Sequence, residues 1–161
     1  MKKQKKTNVM RILDKAGIPY KTKSYDFDLD DLSGVHAAEE LGFNPDMVFK
    51  TIVTKGNKTG PVVFCLPSNK TLDMKIAASV SGNKSIEMIH LKDLRTLTGY
   101  ERGGCSPIGM KKDFPTYFDE SVSKHNEISV SAGHRGQQIL ICPNSLIKFI
   151  NAKIYKITLD G

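Results

Sequence analysis

Cysteine is scarce in this sequence and long apolar runs are absent. The three cysteines, Cys65, Cys105 and Cys142, are far apart and odd in number. That argues against a disulfide framework and favours a reducing compartment. No C-x-x-C or H-E-x-x-H spacing occurs, and the four histidines (His36, His90, His125, His134) are scattered. A metal site therefore has no spacing support, and no cofactor is expected. No stretch approaches the roughly 18 apolar residues of a membrane span. Residues 1–8, MKKQKKTN, lead to Asp14 and Lys15 without the apolar core of an export signal. The expected setting is the cytoplasm, with no membrane partner. Repeats and low-complexity linkers are also missing, so no internal domain boundary is placed.

What is present fits one domain. The chain has 161 residues, 39% hydrophobic and 25% charged, enough to bury a sizeable core without staples. Its net charge is +7. A positive field attracts polyanions, nucleic acid first among them, although a lysine-rich surface alone accounts for the figure equally well. Lys2, Lys3, Lys5 and Lys6 make residues 1–6 a basic, mobile arm ahead of a domain spanning 7–161. Such an arm adds affinity for phosphates without sequence preference.

Residues 7–16 read as a helix with Val9, Ile12, Leu13 and Ala16 on one face and Gly17 as its stop. An extended segment follows at 20–27, then an acidic loop at 28–31. A short helix capped by Ser33 ends at Gly42. Residues 48–54 and 62–66 form a hairpin around KGNKTG. Helices are expected at 73–80, 91–97 and 144–150, and strands at 86–89, 116–119, 127–131, 137–142 and 153–158. Hairpins beside isolated helices predict an α+β domain. Its sheet is mixed, largely antiparallel, curved and barrel-like, with helices packed around it.

Three features carry candidate chemistry. Lys50 lies within VFKTIV, with Val48 and Ile52 on its own face and Phe49 and Val53 on the other. A lysine in such a strand either reaches a partner, as a functional group would, or carries its stem out to water. Residues 98–109, TGYERGGCSPIG, hold four glycines and a proline. Such a loop can bring backbone amides close to an anion or a carbonyl, and it can also be a long tight turn. It matches neither a P-loop nor a dinucleotide fingerprint. Residues 129–136, SVSAGHRG, end a strand in small residues with His134 and Arg135 beyond; taken alone they fit a hairpin turn better than a site. Cys105 has no histidine near it in sequence to activate it as a nucleophile. Asp73 reads as a helix cap.

Together, FKT at 49–51, LDMKIAA at 72–78, TGYERGGCSPIG at 98–109 and SAGHRG at 131–136 resemble, in that order, the YbaK/EbsC family, relatives of the editing domain of bacterial prolyl-tRNA synthetase. The resemblance runs from about Thr7 to the C-terminus. It implies a free-standing deacylase that removes cysteine from mischarged Cys-tRNA(Pro), with Cys-tRNA(Cys) as a further substrate, and prolyl-tRNA synthetase and tRNA(Pro) as partners. It places Lys50 as the key lysine and Tyr20 and Thr51 in the pocket lining. Gly103, Gly104 and Ser106, with Ser131, Ala132 and Gly133, would hold the aminoacyl end. Cys105 stands where the family is often aliphatic, and Met110 where a polar residue is common. The implied chemistry is attack by the substrate's own thiol, releasing a thiolactone. Deacylation of another mischarged tRNA such as Ala-tRNA(Pro), or nucleic-acid binding without catalysis, are the alternatives.

Overall fold

Short polar side chains and glycines set the helix ends. In the computed structural model, which describes residues 6–159, helix α1 (Asn8–Ala16) begins where the Thr7 hydroxyl accepts the Met10 amide, and it stops at Gly17 with φ 71°. Helix α2 (Gly34–Leu41) is capped by Ser33 and closed by Gly42 in the same way. Asp73 accepts the amides of Lys75 and Ile76 at the start of α3 (Met74–Val80), which is the cap role read from the sequence. Helices α4 (Leu91–Thr98) and α5 (Pro143–Ile150) end at Gly99 and Asn151, both left-handed.

Two sheets are formed. Strands β1 (Tyr20–Ser24), β7 (Gln137–Ile141) and β6 (Ile128–Ser131) make an antiparallel sheet in the order β1-β7-β6. The other five follow the order β4-β2-β3-β5-β8: β2 is Phe49–Gly56, β3 Gly60–Pro67, β4 Ile86–Met88, β5 Thr116–Asp119 and β8 Lys153–Tyr155. Strand β2 is antiparallel to both neighbours, whereas β5 runs parallel to β3 and β8. A parallel bridge from Val48 to Ser129 joins the sheets. The architecture is therefore the mixed, mainly antiparallel α+β arrangement expected.

Alternation along β2 and β3 sends side chains into two cores. Phe49, Val53, Val63 and Cys65 enter the larger one, with Leu13, Phe118, Val130 and Ile139. Val62, Phe64 and Leu66 face the smaller one, with Ala77, Tyr117 and Ile157. Each fully buried Phe or Leu contributes about 1.5–3 kcal/mol. Among the described residues no helix is long and apolar enough to cross a membrane.

Some boundaries differ from expectation. Strand β8 ends at Tyr155 rather than at 158 because the Ile157 amide turns inward to the buried Asp119 carboxylate, 3.1 Å away. Two 3-10 turns, Pro45–Met47 and Glu120–Lys124, carry too few residues to show a period. Of the basic arm read at residues 1–6, only Lys6 lies within the described residues, and its ammonium pairs with Asp14 at 2.5 Å.

Candidate functional site

Lys50 lies opposite Leu66 in the β2–β3 register, so it shares a face with Ile52 and the smaller core. Strand β4 pairs only with Thr54, Lys55 and Gly56, which leaves the Lys50 end of β2 without that neighbour. The side chain is half-buried. Its ammonium donates to the Ser68 carbonyl at 3.4 Å, and no carboxylate pairs with it among the described residues. Burial without a counter-charge lowers its pKa from the ordinary lysine value. Ser68 is itself fixed: its amide donates to Val48 and its hydroxyl to Pro45. The start of α2 presses on it, since a Cβ at Gly34 would fall 2.8 Å from the Ser68 Cβ.

Leu32, two residues before Gly34, covers the glycine loop; a Cβ at Gly103 would meet its side chain at 3.0 Å. Residues 32–34 thus touch both the loop and the backbone that holds Lys50. The loop also rests on the turn after β6. At Gly104 an added Cβ would stand 3.1 Å from the Arg135 amide, so a side chain there would push the two backbones apart by a few tenths of an ångström. Arg135 ties them further, its Nε donating to the Arg102 carbonyl at 2.8 Å. The two glycine-rich segments therefore form one unit. The loop is stiffened from within by Thr98, whose hydroxyl donates to Leu94 and accepts from Tyr100, and by the Tyr100 hydroxyl on the Ile108 carbonyl.

Not every amide here is available to a ligand. Gly104 donates to the Glu101 carbonyl, Ala132 to the Gln137 carbonyl and Gly133 to the Ser131 hydroxyl. Ala132 and Gly133 thus build the turn and have no donor to spare. Ser106 is fully buried, its hydroxyl accepting the Ile108 amide. Among the described residues, the amides of Gly103, Cys105 and Ser106 have no internal acceptor. Gly103 and Cys105 are only partly buried, so their amides are the candidate donors toward an oxyanion, whereas Ser106 is closed off from a ligand.

Thr51 and Tyr20 are placed elsewhere. Neighbours in a strand alternate, so Thr51 faces the larger core, its hydroxyl 3.7 Å from the Cys65 thiol, on the opposite side of β2 from Lys50. Tyr20 pairs with Ile141, at the far end of the three-stranded sheet from Ser131 and Gln138. Its hydroxyl donates to the Asp14 carboxylate at 2.9 Å and lies 3.3 Å from the Met10 carbonyl. The structure thus leaves Tyr20 out of this grouping, as part of the α1 packing. Burial pushes the Cys105 thiol up to about 12, against a smaller pull from Thr98. A thiol protonated at neutral pH is a poor nucleophile.

Tyr25, which the sequence reading did not single out, lies just after β1 beside the same turn. Its amide donates to the Gly136 carbonyl at 2.9 Å. Burial raises the pKa of its phenol, with Gly136 and Gln138 acting against the rise. With Phe27, Glu40, Arg135, Gly136 and Gln137 it lines an open cavity of about 590 Å³ beside the turn. Its one signal is its position at the end of β1, which means little until the β1–β7 register is known. A cavity of about 690 Å³ on the loop's exit side is lined by Pro107, Met110, Phe114 and Phe149 and includes none of these groups.

Residues 33–149 match the family model described as the aminoacyl-tRNA editing domain. The chain is 50% identical over 157 residues to the Enterococcus faecalis protein named "Putative Cys-tRNA(Pro)/Cys-tRNA(Cys) deacylase EbsC", covering 98% of this chain and 96% of that one. It is 30% identical over 100 residues to a proline–tRNA ligase of Shouchella clausii, 62% of this chain and 17% of the ligase. The solved structure described as "a putative trans-editing enzyme for prolyl tRNA synthetase" superposes with a TM-score of 0.84 at 21% identity, covering 98% of this chain and all of that one. At that identity the superposition speaks for the fold. The chain belongs to the aminoacyl-tRNA editing domain family, in its YbaK/EbsC branch, whose relatives include the editing domain of prolyl-tRNA synthetase.

Proposed function

We propose that this protein is a free-standing editing enzyme that removes cysteine from Cys-tRNA(Pro). The substrate class follows from the 50% identity, over nearly the whole of both chains, to the Enterococcus faecalis relative. Among geometric features, the half-buried Lys50 ammonium, with a carbonyl and no carboxylate as its partner, carries the reading. A half-buried cation whose one bond is to a backbone carbonyl has donors to spare, which suits the phosphate or ribose of a terminal adenosine. Cysteine and proline are close in size, so a synthetase pocket separates them poorly and a second site is useful.

The chemistry is intramolecular. The substrate thiol sulfur bonds to the ester carbonyl carbon, and the bond from that carbon to the ribose oxygen breaks. The thiol proton passes to the ribose oxygen, leaving free tRNA and a thiolactone. Negative charge grows on the carbonyl oxygen during the step, and the amides of Gly103 and Cys105 are the donors for it. The protein supplies position and charge stabilisation while the substrate brings its own nucleophile. Prolyl-tRNA synthetase is the proposed partner that presents tRNA(Pro), and the cytoplasm is the proposed setting.

Deacylation of Cys-tRNA(Pro) and Ala-tRNA(Pro), followed side by side with product analysis, tests this. Cysteine clearance with a trappable thiolactone is expected. Equal clearance of alanine, which has no thiol, rules out the cyclisation. Turnover of neither substrate rules out the enzyme.

A further inference from the structure

The amides of the glycine loop can act only if the loop is held in register. Arg135 is the residue built for that task. It lies 33 positions from Arg102 in the chain, yet its Nε–H donates to the Arg102 carbonyl at 2.8 Å. Its NH1 lies 3.7 Å from the Glu101 carboxylate, whose other oxygen lies 3.5 Å from Arg95. The Arg135 side chain is only 29% exposed, against 78% for Arg95. One fork therefore grips both a backbone carbonyl and a side chain of the segment that leads into Gly103, while the backbone of Arg135 itself lies against Gly104. A planar guanidinium can make this two-point contact, and an ammonium cannot hold it in one geometry.

We propose that Arg135 is the positioning residue that fixes the glycine loop on the turn after β6, and so aims the Gly103 and Cys105 amides at the reacting carbonyl. This rests on the deacylase reading above. Glu101 serves the clamp by balancing Arg135 and Arg95 together. The competing role for Arg135 is direct contact with a tRNA phosphate, which the G-x-x-G spacing of Gly133 and Gly136 would also suit.

The two roles have different signatures. A displaced loop weakens the transition state, so Arg135→Gln lowers kcat by about 10- to 100-fold with KM nearly unchanged. A lost phosphate contact instead raises KM and reduces the salt slope of binding by about one. Three variants, Arg135→Gln, Arg135→Lys and Arg95→Gln, are assayed on Cys-tRNA(Pro) across a salt series. Backbone hydrogen exchange of the Gly104 amide, which donates to the Glu101 carbonyl at 2.9 Å, is measured on the same proteins without tRNA. Positioning predicts a kcat loss in both Arg135 variants, incomplete rescue by lysine and partial rescue of Arg135→Gln by added guanidinium. It also predicts about tenfold faster exchange at Gly104 and less than a twofold effect of Arg95→Gln. A KM-only effect with a shallower salt slope, unchanged exchange at Gly104, or full activity in Arg135→Lys overturns it. The exchange result stands even where wild type turns over no substrate, so failure of the clamp and failure of the deacylase reading are separable.

Discussion

The two ends of the β2–β3 hairpin use polar groups in opposite ways. At the turn end, Asn83 accepts the amides of Lys58 and Thr59 and donates to the hydroxyls of Thr59 and Ser81. Asn57 reciprocates by accepting the amides of Lys84 and Ser85. Gly56 is indispensable there, because a Cβ would fall 2.3 Å from the Asn83 amide nitrogen. Every one of these contacts serves the fold. At the other end, Lys50 has a single 3.4 Å bond to a carbonyl, and its charge is unpaired among the described residues. Polarity inside this fold marks structure where its bonds are satisfied, and capacity for a ligand where they are not.

The largest effect is expected at the Lys50 end. Lys50→Ala is expected to lower deacylation of Cys-tRNA(Pro) by about a hundredfold or more, in line with the loss of a charge contact to the substrate. Thermal melting of the same variant should stay within a few degrees of wild type, since the ammonium has no ion pair to lose. The reverse is expected at the turn end. Asn83→Ala leaves the amides of Lys58 and Thr59 without their acceptor and should cost about 1–3 kcal/mol of stability by denaturant unfolding. Its specific activity in native buffer should be unchanged.

Two finer predictions sharpen the contrast. A methyl group at position 34 meets Ser68, so Gly34→Ala should shift the carbonyl that holds Lys50. It should reduce turnover by about tenfold or less, with melting little changed. The smallest effect concerns pH. Burial lowers the folded pKa of Lys50 below its unfolded value, so between those two values the unfolded chain binds more protons. Stability from this group is therefore present above the unfolded pKa and lost as pH falls through the folded one. Lysine side-chain NMR should show one ammonium titrating below the rest, and it should vanish in Lys50→Met. Stability of the wild type relative to Lys50→Met should rise with pH across the same alkaline window.

Much of the fold was legible because its signals are local. Thr7, Ser33 and Asp73 cap the helices expected to follow them, and the β-branched runs on either side of KGNKTG pair as a hairpin. The site was legible only in part. The association of the glycine loop with the 131–136 turn depends on a close backbone approach at Gly104 and on the reach of Arg135, and no spacing in the sequence encodes either. The opposite faces of Lys50 and Thr51 do follow from strand alternation, and a strict reading of period two separates them. Tyr25 escaped notice because its relevance comes from pairing with Gly136, across more than a hundred residues. Tyr20, a tyrosine at the other end of the same strand, serves the packing of α1 instead.

The most direct measurement is single-turnover deacylation of Cys-tRNA(Pro) by wild type, Lys50→Ala and Asn83→Ala, with tRNA binding and melting recorded on the same samples. The account predicts that Lys50→Ala binds tRNA and melts like wild type but deacylates about a hundredfold or more slowly, while Asn83→Ala melts lower and deacylates at the wild-type rate. Wild-type turnover in Lys50→Ala, or equal losses of activity in both variants, would contradict it.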